Sequence, residues 1–490
     1  MSYFHHYHTK KYRMGIMTAA IILAAGMSLR SARAADPSDA TYAWDTDQIF
    51  WIMHISDMHI GTEMFDEVPP FQWAMNEAIQ VVNPVIVVNS GDLVDASPNG
   101  VVTSGQDDSE WQLYRSVVDE SGVSADFYID MPGNHDAYGD EGLTHYLQYS
   151  LNGSTYHKLA RSVDLNLPFG EYFVYTTCTA DETGSRFIEH PKISQDELDD
   201  MSAELTAHDS ARLIFVFGHH PLQDPTNGDQ AADMIKQHHG YYYHGHIHAY
   251  GSYLHDGIVT AQVNSMGKKT TQNLAVIAVD HDFVAYGSTD SEDPWPFILI
   301  TAPARSKLDS DEANPYAYTV CNTATSVPVR ALVFDLNTVS AVTVTAGNTN
   351  EASMTPDPHI HSLWTGTFDP SSLPEGEATL TVTAYGSKER SSQITFKVAN
   401  VNCPTQENQD GGVTDGAGPD GQLGDSQQPE SDAGADANTS NDGGQTDGSI
   451  LPGGGNSGCG CHQSGGSTPL SPLGFILLAA VGLFLVRRRR

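Results

Sequence analysis

Five short apolar runs in this chain each end on the same kind of residues, and that repetition limits the fold more than any other feature. "IFWIMHI" runs into Ser-Asp-Met-His, "PVIVVNS" into Gly-Asp-Leu-Val-Asp, "DFYIDMP" into Gly-Asn-His-Asp, "ARLIFVF" into Gly-His-His-Pro, and "GYYYH" into Gly-His-Ile-His. The runs are short and rich in Val, Ile and aromatics, as strands buried on both faces should be. Between the first two, "PPFQWAMNEAIQVV" carries apolar residues at helical spacing. This alternation predicts an α/β domain over residues 44–290. Glycine lets the backbone turn sharply and lets a ligand approach, and sites of α/β sheets form at the carboxyl ends of strands. Asp57 and His59 stand at i and i+2, which in an extended chain puts both side chains on one face, an oxygen and a nitrogen donor for one ion.

The pattern changes after Trp295. "VRALVFDL", "VSAVTVTAG", "ATLTVTAYG" and "SQITFKV" alternate or are β-branched between turn residues, so residues 295–400 read as a small β-sandwich. Residues 401–458 hold no Lys or Arg and few large apolar residues; they read as a disordered acidic linker of Gly, Asp and Asn. The formal charge of -37 argues against a nucleic-acid partner, since phosphate backbones recruit Lys and Arg.

Both ends read as targeting segments. Lys10, Lys11 and Arg13 precede "MGIMTAAIILAAGM", followed by "SARAAD" with Ala32 and Ala34 in the A-x-A positions; residues 1–34 are therefore expected to be a signal peptide and the chain to be exported. Among five cysteines, Cys178 follows a strand-like run and reads as a buried free thiol, and Cys321 can pair with Cys403. Residues 459–490 hold Cys459 and Cys461, an apolar stretch from Leu473 to Val486 and the terminal "RRRR". That stretch falls short of the ~20 residues a comfortable span needs.

In order, "DMH", "GDLVD", "GNHD", "GHHP" and "GHIH" resemble the motif set of the calcineurin-like metallophosphoesterases. The resemblance implies that family's β-sandwich flanked by helices and a centre for two divalent or trivalent transition-metal ions, Mn, Fe or Zn. One ion would take Asp57, His59 and His248, the other Asn134, His219 and His246, with Asp92 as the bridge. Two cations held about 3.5–4 Å apart acidify a water to hydroxide and clamp a phosphate, and their closeness calls for an anion between them. The resemblance makes His135 the catalytic side chain that assists the leaving oxygen, with Asp95 orienting it and favouring its protonated form. Asp136 reads as a support for its loop. His54, His220, His238, His239, His244 and His255 match nothing in the set and read as structural or solvated.

"EWQLYRSVV", "GNHDAY" and "WPFILITAPARS" resemble the transmembrane protein 62 family, which joins such a domain to an immunoglobulin-like domain and then to membrane helices. The tail is similar to the myxobacterial-type sorting signal (MYXO-CTERM), which implies a sorting protease, a membrane tether and a place at the cell surface or outer membrane. The implied activity is hydrolysis of a phosphomonoester or phosphodiester. The alternative is a catalytically weak or inactive surface binding or adhesion protein that uses the immunoglobulin-like domain.

Overall fold

The computed structural model describes residues 48–61, 67–98, 103–268, 272–317 and 319–400. The expected signal peptide, the linker and the sorting tail lie outside them, as does Cys403. The first described part holds eleven strands: β1 (Ile49–Ile55), β2 (Ile86–Asn89), β3 (Tyr128–Asp130), β4 (Arg161–Leu167), β5 (Gly170–Thr176), β6 (Ile214–Phe217), β7 (Tyr241–His244), β8 (Gly251–His255), β9 (Ile258–Gln262), β10 (Asn273–Asp280) and β11 (Phe283–Asp290). They form a five-stranded sheet, β11-β10-β1-β2-β3, and a six-stranded sheet, β4-β5-β6-β7-β9-β8. The five runs singled out by sequence are β1, β2, β3, β6 and β7; β1-β2-β3 and β5-β6-β7 are parallel within each group.

Strand β1 is buried along its whole length because its alternate residues serve two cores. Phe50 and Ile52 join Val174, Phe215, Phe217 and Tyr243 between the sheets. Trp51, Met53 and Ile55 pack the other way, against Phe71, Met75, Trp111 and Tyr114 on helices. One of those helices runs through Val68–Trp73, a π-turn Ala74–Ala78 and Ile79–Val82. The other, Asp108–Ser121, starts at an Asp107 cap that accepts from the Ser109 N–H and stops at Gly122 with φ 71°. On the outer face of the second sheet, Phe173, Tyr175 and Val216 meet helices Gln195–Ala207 and Gly228–Gln237 through Leu198, Met201, Ala231 and Ile235. The result is a mixed α/β fold of four layers, helix, sheet, sheet and helix.

The second described part is all β: β12 (Phe297–Ala302), β13 (Thr319–Cys321), β14 (Val327–Phe334), β15 (Ala341–Ala346), β16 (Ala352–Ser353), β17 (Thr355–Pro356), β18 (Leu363–Phe368), β19 (Gly376–Tyr385) and β20 (Glu389–Ala399). Its sheets, β12-β14-β18-β17 and β13-β20-β19-β15-β16, enclose Val329, Ala331, Val342, Val344, Leu380, Val382 and Phe396. This part leans on the outer face of the first sheet, where the Phe334 and Trp51 rings meet edge-on at 5.7 Å. Beside them Asp280 of β10 accepts from Arg330 Nε at 2.8 Å and from Thr301 Oγ1 at 2.6 Å. Cys178 is free and buried, and Cys321 is disulfide-bonded. Among the described residues no helix is long and apolar enough to cross a membrane.

One buried acid makes stability depend on pH. Glu197 is 9% exposed, and its Oε1 accepts from Cys178 N at 2.9 Å. Burial, with the charges of Glu182 and Asp200 adding to it, pushes its carboxyl up to about 8 against the pull of that N–H. The folded chain therefore holds this proton more tightly than the unfolded chain, in which glutamate titrates near ~4.3. The contribution is fully present below that value and is lost as pH rises through 8. Glu197→Gln keeps the acceptor for Cys178 N and removes the charge. It should match the wild type at pH 4 and exceed it by roughly 1–4 kcal/mol at pH 9 in urea unfolding.

Candidate metal centre

The strand ends converge through an unusual backbone. Asp57 (φ 57°), His59 (48°), Asp92 (52°), His246 (65°) and His248 (51°) all lie in the left-handed region, which non-glycine residues rarely adopt. Strand β1 stops at Ile55, so Asp57 and His59 are brought together by two left-handed turns and not by an extended i, i+2 pair. Such conformations persist only where the surroundings fix them, and here the loops lock one another. Asp57 N donates to Gly91 O at 2.8 Å, His59 N to Asp92 O at 3.0 Å, and Asp95 N to Ile60 O at 3.0 Å. Two glycines allow the approach: a Cβ at Gly133 would collide with the Asp92 carboxylate, and one at Gly245 with Asp57 and the Ser56 hydroxyl.

Two groups of donors result. Asp57, His59, Asp92 and His248 offer ligand atoms within 4.8 Å of one another. His59 Nε2 is 3.1 Å from His248 Nε2, which is 3.0 Å from Asp57 Oδ1. In the other group, Asn134 Oδ1 lies 2.9 Å from His219 Nε2 and 3.2 Å from His246 Nδ1. Asp92 stands between them, its Oδ2 3.3 Å from His219 Nε2 and 3.7 Å from His59 Nε2. All seven residues expected as ligands are thus brought together.

The hydrogen bonds behind these residues decide what the cluster needs. His59 Nδ1 faces the Asp95 carboxylate at 3.0 Å and His219 Nδ1 faces the Ser90 carbonyl at 2.9 Å. Both partners only accept, so each ring carries its proton on Nδ1 and turns a bare Nε2 inward. Asn134 Nδ2 donates to Tyr138 OH at 3.1 Å, which aims Oδ1 inward too. Lone pairs and carboxylates then point at one another with few protons between them, a buried arrangement that requires cations. With no cation present, Asp92 and Asp57 overcome burial and hold His219 up to about 10, so a second proton on its inward Nε2 takes the place a cation would fill. A mixed Asp, Asn and His set suits transition-metal ions.

Asp95 departs from its expected place. Its carboxylate bonds the His59 ring and the Ser97 hydroxyl, and lies 3.7 Å from His135 Nδ1. The His135 ring instead meets the Asp95 backbone carbonyl, at 2.8 Å. His135 N donates to Asp92 Oδ1 at 2.8 Å, and the ring is 15% exposed. Asp136 accepts from Leu93 N, Val94 N and Gly133 N, so it holds the loop. His54 bonds Ser90 Oγ and His244 bonds Tyr253 OH, and burial lowers both rings to about 3. His220 is buried with Nδ1 on Thr179 Oγ1 at 2.7 Å and Nε2 2.6 Å from Glu189 Oε1, although its ring also falls within reach of His219 and His246. Glu189 and Ser265, whose hydroxyl donates to Asp57 O at 2.8 Å, belong to no motif and had no signal in the sequence, while Ser90 and Tyr138 lie within quoted stretches but were given no role.

A family profile described as calcineurin-like phosphoesterase matches residues 50–250. The chain is similar to Transmembrane protein 62 of Mus musculus, 24% identical over 369 residues that cover 71% of this chain and 54% of that protein. It is also similar to a protein named as a metallophosphoesterase in Arabidopsis thaliana, 27% identical over 113 residues, 21% of this chain and 15% of that one. The chain thus spans about half the length of the mouse relative and less of the plant one. Among solved structures it resembles a 5'-nucleotidase-like protein of Staphylococcus aureus, with a TM-score of 0.31 and 14% identity over 50% of this chain and 52% of that one.

Metal content tests the arrangement. Asp92→Asn should lower both ions in elemental analysis, because its carboxylate adjoins both groups. Asn134→Ala should lower mainly the one held with His219 and His246. Asp95→Asn should weaken the ion held by His59 by about 10–100-fold, the usual effect of losing the carboxylate behind a ligating histidine.

Proposed function

Because residues 50–250 belong to the calcineurin-like phosphoesterases, we propose that the chain hydrolyses a phosphomonoester or phosphodiester at a centre for two divalent or trivalent transition-metal ions. The observation that carries this reading is the Asp92 carboxylate, set between two groups of inward-facing donors with His135 at their open side. Asp57, His59 and His248 would hold one ion, Asn134, His219 and His246 the other, with Asp92 available to both, and such ions would supply an acidified water and positive charge for the phosphoryl oxygens.

The side chains do the rest. The Asp95 carbonyl accepts the proton on His135 Nδ1, which turns Nε2 towards the centre. A proton held there is delivered to the oxygen that leaves phosphorus. The Asp92 carboxylate fixes the His135 backbone, so metal ligand and proton donor keep one geometry. Buried Ser90, Asp95 and Ser265 stop the ligands from turning away, which limits reorganisation during the reaction.

The rest of the chain positions this centre. Residues 1–34 direct export, and residues 401–490 tether the enzyme to the cell surface or outer membrane. The β-rich part, immunoglobulin-like in its two packed sheets, braces the catalytic domain. The tail is cut before "RRRR" and lipid is attached at Cys459 or Cys461. One acyl chain binds a membrane only marginally, so more than one is attached.

Two experiments test this reading. His135→Ala should keep its metals and lose about 10²–10⁴-fold in kcat for 4-nitrophenyl mono- or diesters; unchanged kcat would remove His135 from the reaction. Intact-mass analysis of membrane-extracted protein should find lipid and no terminal arginines. A mass that includes Arg490 and no lipid would mean a plain transmembrane anchor.

A further inference from the structure

Exposed apolar residues adjoin the ligands of the metal centre along the chain. Among the described residues, the exposed large hydrophobics are Leu113, Phe187, Ile188, Ile247, Phe283 and Leu336. Single exposed apolar residues are ordinary, but three of these belong to one place. Ile247, 48% exposed, stands between His246 and His248. Phe187 and Ile188, 63% and 61% exposed, sit on a segment tied at both ends to residues beside the centre. At one end Gly139 N, four residues beyond His135, donates to Ser185 O at 3.1 Å. At the other, Glu189 Oε1 lies 2.6 Å from His220 Nε2 and 3.7 Å from His246 Nε2. Between these ties Arg186 runs along Gly105 and Gly139, and Phe187 N donates to Thr103 O at 3.3 Å.

Phe187 has φ 62°, a conformation costly for a bulky side chain, and spends it on a ring turned to water. Apolar surface beside a polar reaction centre gains free energy only when something apolar covers it. The group next to it is the phosphoester, so the apolar cover belongs to the substrate. We propose that the centre takes an amphiphilic phosphoester, whose long apolar chain lies against Phe187, Ile188 and Ile247 while its phosphate meets the metals. The inference rests on the hydrolase reading above.

Binding separates it from that reading. Methylphosphonate and dodecylphosphonate share a non-hydrolysable head, and both are titrated below micelle-forming concentration into the full, Mn-loaded protein by calorimetry. Each buried methylene strengthens binding, so dodecylphosphonate should bind about tenfold or more tightly than methylphosphonate. In Phe187→Ser/Ile188→Ser that ratio should fall to within about threefold of one, with metal content confirming an intact centre. Equal affinities in the wild type would overturn the proposal and leave the hydrolase reading standing. If neither phosphonate binds and no phosphoester is turned over, both fall. Cosedimentation with phosphatidylcholine vesicles separates a chain on the substrate from a lipid surface. Vesicle binding that needs Phe187 and Ile188, without chain-length dependence in solution, would make them a membrane contact and overturn the proposal.

Discussion

One buried carboxylate organises the catalytic half of this molecule. Asp92 is 2% exposed, receives the His135 backbone N–H, and faces His59 and His219 from opposite donor groups. An anion so buried is unfavourable unless positive charge meets it. Asp95 and Ser90 hold one proton of His59 and of His219 on the outward nitrogens, so each inward nitrogen faces the carboxylate and is left for a second proton or a cation. The need for cations is therefore built in by residues behind the ligands as much as by the ligands.

The two sheets make that arrangement affordable. Inner strands buried on both faces fix where each chain leaves its sheet, and the loops then zip together through Asp57, His59 and Asp95 N–H groups. Strain at five left-handed ligand residues is held by a scaffold that cannot relax. The β-rich part adds to it by covering the outer face of the first sheet, through Phe334 on Trp51 and the Asp280–Arg330 bond.

The fully buried strands and the motif residues were legible in the sequence because each depends on residue type in order. Apolar runs mark doubly buried strands, and Gly-Asp, Gly-Asn and Gly-His mark their turns. Strands β4, β8, β9 and β11 were not singled out, since they are partly exposed and their residues mix polar with apolar. The spacing of Asp57 and His59 suggested an extended pair, but convergence comes from backbone angles that spacing does not reveal. Asp95 was read through its neighbour in the motif, yet its carboxylate turns to His59 and only its carbonyl meets His135. Glu189 reaches His220 and His246 from the loop between β5 and the helix Gln195–Ala207 without any motif, so only three-dimensional proximity reveals it.

Anomalous X-ray diffraction from crystals loaded with Mn²⁺ tests the central claim most directly. Two peaks should appear, each about 2.0–2.3 Å from an oxygen of Asp92, one among Asp57, His59 and His248 and the other among Asn134, His219 and His246. A single peak, or peaks that Asp92 does not touch, would contradict a centre built around this carboxylate.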